Sequence, residues 1–425
     1  MWPVTATAGR PDGRSLSWQP RRFTAAALLI SSLVSLWLLS PIFWDRLGGD
    51  SRAAYAAARL HLRGGDPYSF PELKREESAI DAATRAPSAP SHYSANPYYY
   101  PPVMTRLWEG LAPLGDRGFY WVGAAVLLLL GLLGLELILS ALEWGNRWLP
   151  RAFFVVSPPM AVVLVSGNPS TLLLTAWGGA LLAATRRHGI LAGALLAVGW
   201  AKPPVGIPVA LAILIAGPGS RRRLAAGLAL GTLAFAAGNL VVGGSGEFFR
   251  WLGSLFDFSA SLAHRQDAGV FHCCLTSLPA LLLDSVTTPL AVLAAAAAGA
   301  GILFVASRRG LLGGAGPDRL LPLALLTSVA LIVTPYVHIN DLVLEALPLL
   351  LLASQPLTPV SRATLALWGL GATTPLALSL LPSVTGVALP SSVAAFGLLL
   401  ATLTTMALIS ARRPGAASPD AAIPA

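Results

Sequence analysis

Two residues of this chain are of a type and setting that could do chemistry: Asp50 and Lys202. Asp50 opens the stretch Asp50-Ser51-Arg52-Ala53-Ala54-Tyr55, which runs on through Arg59 and Arg63 to Gly64-Gly65-Asp66-Pro67-Tyr68. The stretch reads as a short helix. Asp50 or Ser51 suits an N-cap, alanine is abundant, and Gly64-Gly65 ends it. A carboxylate at that position is either the cap or a general base that takes the proton from an attacking hydroxyl. Lys202 lies in Gly199-Trp200-Ala201-Lys202-Pro203-Pro204, between two apolar half-runs. It either snorkels from a helix end or, as a lone cation in a cavity, holds an anionic phosphate.

Further polar residues cluster in a few turns. His338 and Asp341 follow Pro335-Tyr336, and a spacing of three puts them on one face if that segment is helical. His338 is an interface residue or a donor to a leaving phosphate; it has no metal-ligand partners in sequence. Arg52, Tyr55, Tyr68 and Tyr100 are candidates to line a cavity or, for Arg52, to meet a phosphate. Asn168 in Gly167-Asn168-Pro169-Ser170, Tyr336 and Asp341 join them as lining residues. Tyr98-Tyr99 before Pro101-Pro102 fits an aromatic anchor at lipid headgroups better than a site. Glu136 and Glu345 fall inside apolar runs, where paired, structural carboxylates are expected.

What must position these residues is a membrane bundle. Of the 425 residues 55% are hydrophobic and 12% charged, against roughly 25% charged in a soluble domain. Apolar runs recur at about 23–44, 119–142, 151–166, 170–185, 189–201, 204–217, 224–242, 288–306, 318–334, 341–353, 363–381 and 391–410. These predict an all-α polytopic protein with about twelve transmembrane helices. Arg147 and Arg151, Arg186 and Arg187, Arg221 to Arg223, Arg308, Arg309 and Arg319, Arg362, and Arg412 and Arg413 then share one side, which the positive-inside rule makes cytoplasmic. Both termini, 1–22 and 411–425, fall on that side, flanking one transmembrane domain over 23–410.

The opposite side carries two long segments. Residues 45–118 have balanced charge and form the first extracytoplasmic loop; within it, Pro101-Pro102 opens a short interfacial helix to Leu114 that carries Arg106 and Glu109. Residues 243–287 form the second, with His264 to Asp267 and Phe271 to Cys274. The turns at Asn168, Lys202 and Tyr336 to Asp341 face the same side as Asp50, and this convergence is the functional signal. Short, proline-bounded runs also leave room for a cavity near that surface.

Several classes are excluded or disfavoured. The net charge of +9 is dispersed in small clusters, which argues against nucleic acid. Cys273 and Cys274 are adjacent, without CxxC or His/Cys metal spacing, and no GxGxxG or phosphate-loop motif occurs. Arg21-Arg22 before the first apolar run, with no small-residue cleavage site after it, predicts an uncleaved first span.

The residues from about 45 to 345 resemble, in order, polyprenyl-phosphate-sugar-dependent glycosyltransferases of the GT-C type. The nearest likeness is to family 87, which includes mycobacterial α-1,2-mannosyltransferases of phosphatidylinositol mannoside synthesis. The likeness rests on Asp50 with Tyr55, Ala58, Gly64 and Pro67-Tyr68, then Tyr100-Pro101-Pro102, Gly167-Asn168, Lys202-Pro203, and Pro335-Tyr336 with His338 and Asp341. Where the family usually shows Gly-Gln, this chain has Gly167-Asn168; where an Asn-Gln-Ser-like motif is usual, it has Phe271-His272-Cys273-Cys274. The resemblance implies a GT-C-like fold in a bacterial plasma membrane and a metal-independent, inverting transfer without a cofactor on the extracytoplasmic face. The donor would be a polyprenyl-phosphate sugar of mannose-like hexose or pentose type, and the acceptor a hydroxyl on a lipid or glycan. It further implies Asp50 as base, with Lys202 and His338 near the leaving phosphate. A transporter or flippase for a lipid-linked sugar is the competing reading, and a non-catalytic scaffold of envelope assembly is a third.

Overall fold

The structure is a computed structural model. It describes residues 49–83, 98–264, 320–334 and 339–354, together with isolated positions within 29–33 and 293–308. The described residues are helical throughout, with no strand among them. The first and the last two of the expected spans lie outside the described residues, as do the termini and most of the second long loop, so the count of twelve stays an expectation. By length and apolarity, two described stretches suffice to cross a membrane, Pro102–Ala141 and Arg221–Leu255. A third is formed if the pair Trp148–Val155 and Pro158–Ser166, bent by 50°, counts as one.

The chain folds into an outer cap and a bundle. In the cap, α1 (Gly49–Leu62), α2 (Phe70–Ala83) and α3 (Pro102–Leu111) surround the start of α4 (Gly115–Ala141). Helix α1 forms where its alanine content predicts. It stops in a Schellman motif, in which Gly64 N–H donates to His61 O (2.9 Å) and Gly65 N–H to Leu60 O (3.0 Å). Ala53 to Ala58 are all buried, so small side chains let α1 be packed on several sides at once. They close on Leu73, Ile80, Tyr98 and Phe119. Pro102 starts α3, as a proline in the first turn should. The proline- and charge-rich stretch after Pro71 is not loose up to residue 83: it is α2, tied to α1 by the ion pairs described below.

The bundle follows. Helix α4 has 27 residues, about 40 Å at 1.5 Å per residue. Its first half serves the cap, while its second half meets α7 (Ser170–Thr185) in a parallel contact at which a Cβ on Gly134 would lie 2.8 Å from Thr175 N and one on Gly178 2.6 Å from Gly134 O. Only glycine allows that approach. Helices α5 (Trp148–Val155) and α6 (Pro158–Ser166) split the expected run 151–166 at Ser157, whose hydroxyl accepts from Met160 N–H at 3.3 Å. Helix α8 (Gly189–Leu196) tightens into a 3₁₀ turn, Ala197–Ala201; the chain reverses at Lys202 into α9 (Pro203–Ala216), with Gly199 and Gly206 in backbone contact. Helix α10 (Arg221–His264) runs past the expected end at 242 and breaks at Gly244 (φ 69°). After it come α11 (Leu320–Val333), a 3₁₀ segment Ile339–Glu345, and α12 (Ala346–Ala353). The core gathers Trp177, Leu174, Leu196, Val209, Leu326 and Leu344.

This arrangement puts the polar turns together. Helices α7 and α9 start, and α8 ends, at the face covered by the cap. The arginine-rich segments after α7 and before α10 lie at the other ends of these helices, where a Cβ on Gly189 would touch Arg223. Glu136, near the end of α4, is paired with Arg147 (3.3 Å) and Arg151 (2.5 Å), the structural role expected of it.

Candidate active site

The site sits at the seam between cap and bundle, and its centre is a turn of three residues. Gly167 closes α6 in the left-handed region (φ 75°), with its N–H donating to Val163 O at 2.8 Å. A Cβ there would lie 1.7 Å from Ser51 Oγ, so glycine is required both by the backbone and by the approach of α1. Asn168 then folds its side chain back to accept from Ser170 N–H at 3.0 Å. This Asx turn launches α7.

Around that turn four elements deliver polar groups. Asn168 Nδ2 donates to Asp50 Oδ2 at 2.8 Å. Asn168 Oδ1 accepts from Lys202 Nζ at 3.3 Å. Lys202 Nζ also reaches Ser170 Oγ at 3.4 Å and makes an ion pair with Asp341 Oδ1 at 2.5 Å. The Ser170 hydroxyl lies between Asn168 Oδ1 and Asp341 Oδ1, close to both. Asp341 and Ser170 are fully buried and Asn168 nearly so, whereas the Lys202 side chain keeps 16% exposure. Asp50 is half-buried. Lys202 adopts a non-helical backbone (φ −143°, ψ 74°) between the 3₁₀ turn and Pro203, which aims its side chain inward instead of along a helix surface. A surface-seeking lysine would not be placed so.

Tyr100 completes the described site. Burial, and then the carboxylates of Asp50, Asp341 and the ring of Tyr98, hold its hydroxyl well above the usual tyrosine range. It therefore serves only as a neutral donor or acceptor. Tyr68 stands one layer behind: its hydroxyl donates to Tyr100 O at 2.9 Å and its ring meets that of Tyr98 at 5.9 Å. Tyr98 is itself a buried member of the cap core, not a headgroup anchor.

The sequence-derived list thus divides. Asp50, Asn168, Lys202 and Asp341 come together, with Tyr100 beside them. Asn168 and Asp341, expected to line a cavity, are instead buried supports. Arg52, expected at a phosphate, turns to α2: its Nε lies 3.2 Å from Glu77 Oε2 and its NH1 3.0 Å from Asp81 Oδ2. Two residues, about 200° around α1, separate it from the face that Asp50 presents. Tyr55 packs its ring on Phe119 (5.1 Å) beneath the Arg59 guanidinium, inside the cap core. Tyr336 and His338 lie outside the described residues. Ser170 was not singled out by sequence; the signal for it is its place two residues after Asn168, where an Asx turn brings a hydroxyl to the same spot.

A cation beside a half-buried carboxylate is suited to a group transfer in which one partner loses a proton and the other leaves with negative charge. Comparison with known proteins agrees on the class. A family model described as glycosyltransferase family 87 matches residues 98–335, a segment that contains Asn168, Ser170 and Lys202 and excludes Asp50 and Asp341. No curated protein matches the chain, and no solved structure does. The match spans more than half of the sequence and, with the apolar helices, makes the protein a membrane-embedded enzyme of the GT-C type: the chain belongs to glycosyltransferase family 87.

Proposed function

We propose that the enzyme moves a hexose or pentose of mannose type from a polyprenyl-phosphate donor to a hydroxyl on a lipid or glycan, at the outer face of a bacterial plasma membrane. The observation that carries this is the Asp50–Asn168–Lys202 link, 2.8 Å and 3.3 Å long: a carboxylate and an ammonium share one seam. Asp50 takes the proton of the acceptor hydroxyl as that oxygen attacks the anomeric carbon. The bond from anomeric carbon to phosphate oxygen breaks, and its electron pair leaves on the polyprenyl phosphate. One base and one displacement invert the anomeric carbon.

Lys202 offsets the charge that develops on the phosphate. Its contacts to Asn168 and Ser170 are long, so a phosphate oxygen can replace them while Asp341 retains the ammonium. His338, next to Asp341 in sequence, remains a candidate second donor; Arg52, engaged by Glu77 and Asp81, leaves that role. The balanced charge of the cap, against arginine at the opposite helix ends, supports the outer-face placement.

The test is an assay of purified protein with radiolabelled polyprenyl-phosphate sugar and a lipid acceptor fraction. The expected result is a labelled, alkali-stable glycolipid together with released polyprenyl phosphate. Movement of intact donor across a vesicle bilayer without such a product would instead indicate a flippase.

A further inference from the structure

We infer that Asn168 is a positioning residue for the base: it grips Asp50 through a side-chain amide that the rest of the site locks in a single orientation. This rests on the assignment of Asp50 above and extends it to a residue that need not touch either substrate.

An asparagine amide has one accepting and one donating end, and its direction is decided by its neighbours. Here the accepting end is claimed by donors. Oδ1 faces Ser170 N–H at 3.0 Å, Lys202 Nζ at 3.3 Å and the Ser170 hydroxyl. Turning the amide over would place its NH₂ against a backbone N–H and an ammonium, and its oxygen against the Asp50 carboxylate at 2.8 Å. The contacts to Ser170 N–H, Lys202 Nζ and Asp50 would then be donor to donor or acceptor to acceptor, and only the Ser170 hydroxyl could adapt, in a place where Asn168 is 2% exposed. The amide is thus fixed with NH₂ toward Asp50.

The consequence is electrostatic as well as geometric. A charge-assisted bond holds Oδ2 in place and leaves the other carboxylate oxygen to face the seam. Among the described residues, three charged or titratable groups come to Asp50 from other elements: Lys202 from the reversal before α9, Asp341 from the 3₁₀ segment, and Tyr100 from the loop before α3. From α1 and α2 come Arg52, Glu77 and Asp81, which pair with one another. Asn168 is the neutral group that joins the base to the Lys202–Asp341 pair.

The test is the pH profile of kcat/KM for purified variants, with thermal unfolding as the check on folding. Asn168→Asp places a second carboxylate against Asp50, and like charges raise one partner's pKa; the acidic limb should move up by roughly one unit or more. Asn168→Ser keeps a hydroxyl able to serve the turn at Ser170 but cannot reach Asp50. It should lower kcat by roughly ten- to a hundredfold, the worth of a bond to a charged group, with donor KM within about twofold. A structural role alone would lower stability and leave the acidic limb where it was. Unmoved limbs and full kcat in both folded variants overturn the inference. Where only one variant folds, an unmoved limb in Asn168→Asp, or full kcat in Asn168→Ser, overturns it. Asp50→Asn separates this from the underlying reading: if that variant stays active, the base assignment itself fails, whereas an inactive Asp50→Asn beside unmoved Asn168 profiles sinks only the role of Asn168.

Discussion

The cap and the bundle are held together by opposite means. Between α1 and its neighbours run ion pairs: Arg52 to Glu77 and Asp81, Arg59 and Arg63 to Glu76, and His61 lodged between Glu109 and Glu247, which brings α3 and α10 into the same knot. Arg250 adds a tie to Asp66. The bundle instead relies on glycine contacts and a leucine-rich core around Trp177. The difference follows from composition. Five of the six buried residues from Ala53 to Ala58 are alanines, which expose little apolar area to water when pulled away, so α1 gains little from their burial. Charged pairs with defined geometry then decide where α1 sits, and therefore where Asp50 points. Apolar packing makes the floor rigid, while ion pairs set the register of the lid over it.

The comparison can be broken at its seam first. Gly167→Ala forces a left-handed backbone on a residue with a Cβ and drives that carbon into Ser51. A loss of about 2–5 kcal/mol is expected, combining backbone strain with overpacking, seen as a lower unfolding temperature in detergent and loss of transfer. Next comes the cap itself. Arg52→Met leaves Glu77, 2% exposed, without this guanidinium; breaking a buried pair costs about 3 kcal/mol or more. Donor KM, measured on the fraction that remains folded, should not change. A rise in donor KM at full stability would return Arg52 to the phosphate.

The bundle side is tested next. Lys202→Met leaves the fully buried Asp341 without this ammonium, again at a cost of about 3 kcal/mol or more; on the folded fraction it should raise donor KM by about tenfold or more, as loss of a charged hydrogen bond does, with acceptor KM little altered in steady-state kinetics with both substrates. Tyr68→Phe deletes only the bond to Tyr100 O and should cost about 1 kcal/mol of stability. Smallest of all, Glu136→Gln at the arginine-rich end should cost under about 1 kcal/mol, since its partners are partly exposed, and should leave transfer untouched.

Much of the bundle was legible because apolar runs and helix punctuation are local. The extents of α7, α9 and α11 follow the runs closely, and the proline at 102 opens α3 and the glycines at 64 and 65 close α1 as expected. The break at Ser157 and the passage of α10 beyond 242 were not legible, because hydropathy does not register a single capping hydroxyl or a helix that leaves the apolar region and continues. In the site, Asp50, Asn168, Lys202 and Asp341 could be grouped from topology, since all fall at one end of successive runs. Arg52 could not be excluded from that group by spacing. It sits two residues from Asp50, and only the ion pairs with α2, a helix concealed in a proline- and charge-rich stretch, reveal that it faces the other way. Asn168 and Asp341 were read as lining residues because sequence shows polarity but not burial.

The central claim is that a carboxylate at the edge of the cap removes the acceptor's proton while the bundle holds the donor. Single-turnover transfer by purified Asp50→Asn, saturated with radiolabelled donor, measures this directly. The account predicts donor binding and unfolding temperature near those of the parent protein, with the transfer rate down by about 10²–10⁴, the usual contribution of a general base. Transfer at the parental rate by a folded Asp50→Asn protein would contradict it.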